Sequence, residues 1–414
     1  MPTYRVRAEP NFEQQRWAAQ AAGMNRWVYN EARKHCKEGW KKGIKYPGVV
    51  GLCTLLTAWR KEHSWLQEGN AQAQQQSLID FDNAMQRAFK KLGGLPKKKT
   101  RRRNDPTIRF PQGDRTEIKK LSGGDSHIKL PGLGWLRFRH SQKVEGNTRN
   151  VSLRRNRLYQ WHLVIRTELG TPEIIPELTT LFPDVGIDLG VKISVARTGS
   201  EYGPGIHESV PTPSKKDEKH HAKLQRRLSR RQKGSKRRER ARLAIAKYEQ
   251  RWRDRKKDFL HKLSTTIVRE NQAIYVEDLD VKSMTKKCKG KGRAAKAGLN
   301  KAILQQGWGE FRQFLQYKSA KRGKFYAKVP PAYTSQTCCQ CGYTDPLNRA
   351  SQAVFLCGAC RQKMNADDNA AINIRAAGRA ASVRGRLVRP VVSVASARSR
   401  LAGRLKRKPP ERPT

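Results

Sequence analysis

A single acid interrupts the apolar run Val185-Gly186-Ile187-Asp188-Leu189-Gly190-Val191, whose composition is typical of a buried strand. A second apolar run, Ala273-Ile274-Tyr275-Val276-Glu277-Asp278, ends in acids, and Asp367 lies just before a predicted helix over residues 369–377. A buried carboxylate is costly unless it is paired or binds a metal ion. Three carboxylates gathered at adjacent strand ends and a helix start would bind two divalent ions, and two Mg²⁺ ions at such a site activate a water and stabilise the leaving oxygen in phosphodiester hydrolysis. The alternatives are an ion pair between Asp188 and an arginine, and a helix N-cap role for Asp367.

The cysteines indicate a second metal centre. Five of the eight crowd into 23 residues, and four of them have the spacing Cys338-x2-Cys341-x15-Cys357-x2-Cys360. Two such pairs of thiolates close a tetrahedral site around one zinc ion, and four protein ligands leave no open position for catalysis. Gly342 and Gly358 each follow a cysteine of this set, where we expect the chain to turn sharply. Ordinary thiols are expected at the remaining positions, Cys36, Cys53, Cys288 and Cys339, and the clustering favours a reducing compartment.

The charge of the chain points to nucleic acid. The 414 residues include 87 Lys or Arg against 35 Asp or Glu, so the formal net charge is +52. An acidic partner follows from this balance, and nucleic acid is the usual one. No apolar run reaches the roughly 18 residues of a membrane span, and the N-terminus resembles no signal peptide, so we expect no membrane partner and a cytoplasmic protein. A structural RNA-binding protein of the ribosomal type remains open on composition alone.

Periodicity divides the chain into helical and strand segments. A strand is predicted near Tyr4, helices from Phe12 to about Trp40 and from Val50 to Leu92 with a break near Asn70, and short strands over residues 107–166. The basic run Lys97–Arg103 is expected to be exposed and to contact phosphate. Residues 215–262 carry 21 Lys or Arg and 6 Asp or Glu. They also carry an apolar stripe, which predicts long basic helices broken near Gly234.

The remaining segments lie in the C-terminal half. We expect a strand at about residues 193–197, a mobile loop over 284–297 and one helix over 300–319. A strand follows at Phe325–Val329, and the tail from Gly378 is predicted to be disordered.

Four motifs, in this order along the chain, resemble the signature of the TnpB family, the insertion-sequence-encoded relatives of type V CRISPR effector nucleases. They are Val185–Gly190, Val276–Leu279, Thr334–Gly342 and Asn365–Ile374. Weaker similarity at Asn25–Asn30, Leu130–Phe138 and Gly307–Phe311 extends the resemblance over nearly the whole chain to about Ala377.

The resemblance implies an α+β multidomain protein with an RNase H-like (RuvC) mixed α/β core, a zinc-ribbon insertion and an N-terminal wedge-like β-barrel that carries an inserted helical recognition bundle. The implied domains are 1–10 and 105–182 for the barrel, 11–104 for the recognition bundle, 183–332 and 363–378 for the nuclease core, 333–362 for the zinc ribbon and 379–414 for a basic tail.

The resemblance also implies an activity, which is RNA-guided cleavage of double-stranded DNA beside a short flanking motif, with a guide RNA transcribed from the transposon end. Matched by position, the magnesium ligands are Asp188, Glu277 and Asp367, and the zinc ligands are the four cysteines above. Many members carry an acid where this chain has Asn365, but that position is not catalytic. We expect a monomer bound to RNA.

Three other functions stay open at this stage. Relatives that have lost acids act as RNA-guided DNA-binding regulators, although all three acidic positions are filled here. A miniature type V CRISPR effector would have the same sequence features. A structural zinc-ribbon RNA-binding protein would explain the charge and the cysteines, but not the three acids.

Overall fold

A computed structural model describes residues 3–101, 105–113, 116–120, 124–141, 144–168, 183–199, 204–286, 288 and 292–383. The chain forms two compact units, which are described separately. The first consists of Met1–Thr171 and Pro213–Arg253, and the second of Pro172–Thr212 and Asp254–Thr414. Among the described residues, no helix is both long and apolar enough to cross a membrane.

The first unit contains seven antiparallel strands around one core. A four-stranded sheet has the order β1-β7-β6-β2 and a three-stranded sheet the order β3-β4-β5. A bridge between Ala8 and Phe138 joins β1 to β5, so the strands form an open barrel. Side chains alternate between buried and outward positions along β7, as a barrel wall requires. The strands are β1 (Thr3–Arg7), β2 (Thr107–Phe110), β3 (Ile118–Lys120), β4 (Asp125–Leu130), β5 (Gly134–Arg139), β6 (Asn147–Arg155) and β7 (Trp161–Glu168).

Three helices lie between β1 and β2 in sequence: α1 (Phe12–Lys41), α2 (Gly48–Glu62) and α3 (Ala71–Phe89). A capping box of Asn11 and Gln14 begins α1. The apolar faces of the helices share one core, which includes Val28, Leu52 and Phe81. The predicted helical block is therefore confirmed, with a 3₁₀ turn at Ser64–Leu66 in the break between α2 and α3.

The run Lys97–Arg103 was expected to be exposed, but Lys99 is partly buried. The backbone N–H of Lys99 donates to Asn30 Oδ1 at 2.8 Å, and Lys99 Nζ lies 3.7 Å from the centre of the Tyr29 ring. Burial lowers the pKa of Lys99. An aromatic face that attracts the ammonium group explains why this lysine packs against α1. Arg102 and Arg103 lie outside the described residues.

Two basic helices, α4 (Lys215–Ser229) and α5 (Lys236–Glu270), confirm the prediction for residues 215–262. Gly234 lies between them with a φ of +91°, which a residue with a side chain rarely adopts. No residue of α4 is buried, and His221 stacks on Tyr248 of α5 with 4.9 Å between ring centres. The boundary between the two units falls within α5, after Arg253.

The second unit is built on a five-stranded sheet of order β10-β9-β8-β11-β12. Strand β8 is antiparallel to β9 and parallel to β11, which is in turn parallel to β12. This is the RNase H-like core expected from the resemblance. The strands are β8 (Asp184–Asp188), β9 (Val195–Arg197), β10 (Ile206–Glu208), β11 (Ala273–Glu277) and β12 (Phe325–Val329).

Helix α9 (Ala366–Val383) packs closely on this sheet because two glycines permit it. A Cβ atom at Gly186 of β8 would lie 2.1 Å from the carbonyl oxygen of Ala371, and one at Gly378 would lie 2.2 Å from the ring of Tyr275. Real Cβ contacts essentially never fall below 3.0 Å. The glycines therefore set the distance between α9 and the sheet.

Three predictions for this half were wrong in part. The single helix expected over 300–319 is two helices, α7 (Arg293–Gln306) and α8 (Trp308–Lys321), because Gly307 adopts a φ of +72° between them. Helix α7 begins inside the segment expected to be a loop, part of which (287 and 289–291) lies outside the described residues. Helix α9 extends to Val383, so residues 379–383 are not disordered, while 384–414 lie outside the described residues.

The described part of the second unit also contains smaller elements, among them a 3₁₀ turn at Pro346–Asn348. A single helical turn, α6 (Val281–Met284), follows β11, and the two-stranded antiparallel sheet of β13 (Val354–Leu356) and β14 (Lys363–Asn365) leads directly into α9. The cysteine-rich segment between β12 and β14 is called the ribbon below, and covers residues 330–365.

Candidate active site

Two of the predicted metal ligands lie side by side because they end neighbouring parallel strands. Ile187 of β8 pairs with Val276 of β11, so Asp188 and Glu277 follow at the same edge of the sheet. The two carboxyl groups are close enough for each to shift the pKa of the other. Asp188 Oδ1 also accepts from the backbone N–H of Leu189 at 2.9 Å. Glu277 is 8 % exposed, so the two carboxyl groups meet where water is largely excluded.

The third acid, Asp367, lies in the first turn of α9. Its backbone N–H donates to Asn365 Oδ1 at 2.8 Å, so Asn365 provides the capping oxygen that we had considered for Asp367. The Asp367 carboxylate is left free for other contacts. The charge of Asp367 raises the pKa of Asp188, so the start of α9 lies near the edge of the sheet where β8 ends.

The electrostatics of this site favour a bound cation. Burial, followed by the charge of Asp367, raises the pKa of Asp188 to about 6. Burial, followed by the charge of Asp188, raises the pKa of Glu277 to about 8. Burial also raises the pKa of Asp367. Three carboxylates that repel each other in a half-buried site are a donor set that suits Mg²⁺.

The acids are spread more widely than the ligands of a single ion. Among the described residues, the four cysteines are the one set of three or more such side chains whose donor atoms lie within 4.8 Å of one another. In a two-metal site the ions lie about 3.5–4 Å apart and divide the carboxylates between them. The wider spread of the acids is compatible with that arrangement.

Arg349 also belongs to this site, and the sequence reasoning missed it. Its Nη2 atom lies 3.6 Å from Asp367 Oδ1, and 34 % of its side chain is exposed. Its charge lowers the pKa of both Asp367 and Asp188, against the stronger effect of burial. The residue comes from the ribbon, and no spacing signal distinguishes it from the many other arginines of the chain. A half-exposed guanidinium beside the acids is placed to contact a phosphate group.

The acids adjacent in sequence are engaged elsewhere. Asp278 contacts Arg312 at 3.0 Å and Lys328 at 3.2 Å. Asp368 contacts His207 Nε2 at 2.5 Å and accepts from the backbone N–H of Gly205 at 3.3 Å. These partners explain in physical terms why Glu277 and Asp367, and not their neighbours, are available to bind a cation.

The four cysteines fit one zinc ion. The sulfur atoms of Cys338 and Cys360 lie 3.7 Å apart, and those of Cys341 and Cys357 lie 3.6 Å apart. A tetrahedron with Zn–S bonds of about 2.3 Å has S···S edges of about 3.8 Å. The backbone N–H of Cys360 donates to Cys357 Sγ and lowers the pKa of that thiol to about 7. The thiolate that zinc requires is thereby favoured.

The two cysteine turns are less alike than the sequence suggests. Gly342 follows Cys341 with a φ of +76°, as expected. In the second turn the residue with positive φ is Arg361, which follows Cys360 with a φ of +61°, whereas Gly358 has none. Gly358 nevertheless lies in a turn, as expected, because the backbone N–H of Arg361 donates to the carbonyl oxygen of Cys357 at 3.1 Å.

Comparison with protein families covers most of the chain. A family model described as "Probable transposase" matches residues 171–287, and one described as "Cas12f1-like, TNB domain" matches residues 308–374. A model described as "Helix-turn-helix domain" matches residues 1–45. In the part of this range that the structure describes, the chain forms β1, the single long helix α1 and the turn that follows it.

Two curated relatives are similar over nearly their whole length. "Putative RNA-guided DNA endonuclease InsQ" of Escherichia coli (strain K12) is 36 % identical over 399 residues, which are 94 % of this chain and 95 % of the relative. A "Putative RNA-guided DNA endonuclease" of Streptomyces pristinaespiralis is 31 % identical over 394 residues, 94 % of this chain and 92 % of the relative.

A solved structure shares the fold. The protein in the cryo-EM structure of a Cas12f1–sgRNA–target DNA complex aligns with a TM-score of 0.57 at 16 % identity, covering 88 % of this chain and 82 % of that protein.

Proposed function

Because the chain belongs to the TnpB family of RNA-guided DNA endonucleases, we propose that it cleaves DNA at sites chosen by a bound guide RNA. The observation that supports this most strongly is the set of acids at the edge of the RNase H-like sheet. Asp188 and Glu277 end adjacent parallel strands, and Asp367 begins the helix beside them. A repressor or structural protein has no use for a buried Glu277 beside two partly buried aspartates, where like charge raises the pKa of Asp188 and of Glu277.

We propose that Asp188, Glu277 and Asp367 bind two Mg²⁺ ions. When bound, such ions supply a nucleophilic water and stabilise the leaving oxygen of a phosphodiester. The protein's part is to hold the carboxylates at fixed positions before the substrate arrives. Arg349 is placed to contact the phosphate that enters the site, where it would offset charge that builds up during hydrolysis.

Cys338, Cys341, Cys357 and Cys360 hold one structural zinc ion in this proposal. The ion would fix the ribbon, which has a small apolar core of its own around Phe355. Four sulfur ligands leave no position for substrate, so the zinc takes no part in the reaction itself. Its contribution is to the folding of the ribbon, and through the ribbon to the placement of Arg349.

The nucleic-acid partners follow from the charge and from the family. The exposed basic surface of α4 and the first part of α5 would bind phosphates of the guide–target duplex. The guide is an RNA derived from the transposon end, and the target is double-stranded DNA beside a short motif read by the protein.

The domains are assigned from the family resemblance. They are the barrel (1–10 and 105–182), the recognition bundle (11–104), the nuclease core (183–332 and 363–378) and the zinc ribbon (333–362). The complex acts as a monomer with its RNA in the prokaryotic cytoplasm, where guide and target meet.

The test is cleavage of a plasmid library. The gene is expressed with its native downstream flank so that a cognate RNA co-purifies, and the complex is incubated with Mg²⁺ and targets randomised beside the guide-matched sequence. We expect guide-dependent cuts and one enriched flanking motif. Specific binding without cuts would support the regulator instead, and a loaded complex with no target preference would support the structural RNA-binding protein.

A further inference from the structure

Two asparagines of α9 join the helix to the ribbon. Asn369 is fully buried, and it bonds the ribbon backbone twice. Its Nδ2 donates to the carbonyl oxygen of Thr337 at 2.8 Å, and its Oδ1 accepts from the backbone N–H of Cys339 at 3.0 Å. Cys339 is next to the zinc ligand Cys338, so Asn369 fixes the backbone on both sides of that ligand.

One turn further along α9, Asn373 bonds the same loop. Its Nδ2 donates to the carbonyl oxygens of Thr334 and Thr337, at 2.9 Å and 2.7 Å. The hydroxyl of Thr334, a residue that is 8 % exposed, lies 3.4 Å from Glu277 Oε1 and 3.1 Å from the carbonyl oxygen of Pro331. The loop held by the two asparagines therefore begins at a partner of one catalytic acid and ends at a zinc ligand.

The helix does not need these bonds to stay on the sheet. Close packing at Gly186 and Gly378 holds α9 on the sheet, and Arg379 makes a bidentate ion pair with Asp184 of β8. The asparagine bonds are instead directed at the ribbon. Removing them would leave partly buried carbonyl and N–H groups of the loop without these partners, which is costly, so the loop would rearrange. Asp367 lies only two residues before Asn369, so such a rearrangement would reach the acids.

We propose that Asn369 and Asn373 are positioning residues that couple the cysteine centre to the acid site, so that zinc in the ribbon and Mg²⁺ at the acids each strengthen the binding of the other. The inference rests on the proposed function, since it assumes that both sites bind cations. Coupling of this kind is reciprocal by thermodynamic necessity. It can therefore be measured from the zinc side without any reference to cleavage.

The experiment measures zinc release at equilibrium from the full-length protein with its guide RNA. A zinc-selective chelator is titrated in, and a zinc-sensitive dye reports the fraction of zinc released with and without saturating Mg²⁺. For the wild type we expect Mg²⁺ to raise the affinity for zinc about fivefold or more, the lower end of typical coupling between sites. In the double variant Asn369→Ala/Asn373→Ala this effect of Mg²⁺ should disappear, although the variant still binds zinc and RNA.

Three further variants make the result specific. Asp188→Asn should also abolish the Mg²⁺ effect, which shows that the cation acts at the acids. Asn271→Ala is the matched control, because Asn271 is a buried asparagine of the same unit whose side chain donates to the carbonyl oxygen of Ile267, far from the ribbon in sequence. It should keep the full Mg²⁺ effect. Asn373→Ala alone is the alternative if the double variant does not fold. It removes the bonds of a half-buried residue, and it should reduce the Mg²⁺ effect.

Two outcomes would overturn the proposal. One is an equal Mg²⁺ effect in the wild type and in the asparagine variants. The other is no Mg²⁺ effect on zinc release in a wild-type complex that cleaves its target normally. Failure of the proposed function gives a different result, because a wild-type complex that cleaves nothing would be seen in the parallel cleavage assay.

Discussion

Replacing Gly186 by alanine should damage the active site without touching any of its side chains. The added Cβ would lie 2.1 Å from the carbonyl oxygen of Ala371, about 1 Å closer than real Cβ atoms approach. The contact is with backbone atoms of α9, so no flexible side chain can move aside to relieve it. The helix must therefore shift by about 1 Å, and Asp367, which lies on its first turn, shifts with it.

The size of both effects can be estimated. Overpacking of a close-packed core costs about 1–3 kcal/mol in the free energy of unfolding. A misplacement of about 1 Å in a catalytic group costs about 100-fold in rate. Urea denaturation of the protein and single-turnover cleavage by the RNA complex would measure the two losses.

Gly298→Ala is the matched control. Gly298 lies inside α7, and an added Cβ there would meet nothing within 4 Å. Alanine should stabilise this helix by about 0.5–1 kcal/mol and leave the cleavage rate unchanged. Wild-type stability and a wild-type cleavage rate in Gly186→Ala would refute the argument that close packing of α9 sets the position of Asp367.

Three further predictions concern the site and the ribbon. Arg349→Ala should lower the cleavage rate about 100-fold and leave the affinity for guide RNA at the wild-type value. Single-turnover kinetics would measure the rate and filter binding the affinity. An unchanged rate would show that Arg349 has no role in the site. Because burial raises the pKa of Asp188 and Glu277, these two groups without Mg²⁺ bind more protons in the folded protein than in the unfolded chain from about pH 4 to about pH 8. Their contribution to the melting temperature should therefore fall as pH rises through that range, and Asp188→Asn should remove part of that fall; an equal dependence on pH in both proteins would contradict the electrostatic account. Cys357→Ser should lower the zinc content and the stability of the ribbon, as seen by metal analysis and limited proteolysis, and full zinc occupancy would contradict the four-cysteine site.

The sequence predicted those parts of the site that depend on local pattern. Asp188 and Glu277 were recognisable because each ends an apolar strand, and parallel strands bring their carboxyl ends to one edge of a sheet. The cysteines were recognisable because zinc geometry fixes their spacing. The long helices α1, α4 and α5 follow from apolar residues repeated at helical intervals.

The parts that the sequence did not predict depend on contacts between distant segments. Arg349 differs from other arginines only in lying near Asp367 once the ribbon has folded. Asn369 and Asn373 are ordinary helix residues until the loop after β12 packs against them. Lys99 was expected to be exposed because a charge run predicts a solvated segment, and the ring of Tyr29 that covers it lies 70 residues away. Residues 293–321 form two helices because Gly307 has a positive φ. Glycine allows this backbone conformation but does not require it, so the break could not be predicted from the glycine alone.

The most direct test of the acid site compares two aspartates of the same strand. Asp188→Asn alters one end of β8 at the acid site, and Asp184→Asn alters the other end, where the partner is Arg379. Each complex is loaded with guide RNA and mixed with a matched plasmid and Mg²⁺. We expect Asp188→Asn to bind RNA and target but to make no cut. We expect Asp184→Asn to cut at close to the wild-type rate, because close packing at Gly186 and Gly378 still holds α9 on the sheet. Wild-type cleavage by Asp188→Asn would show that these acids do not carry out the reaction.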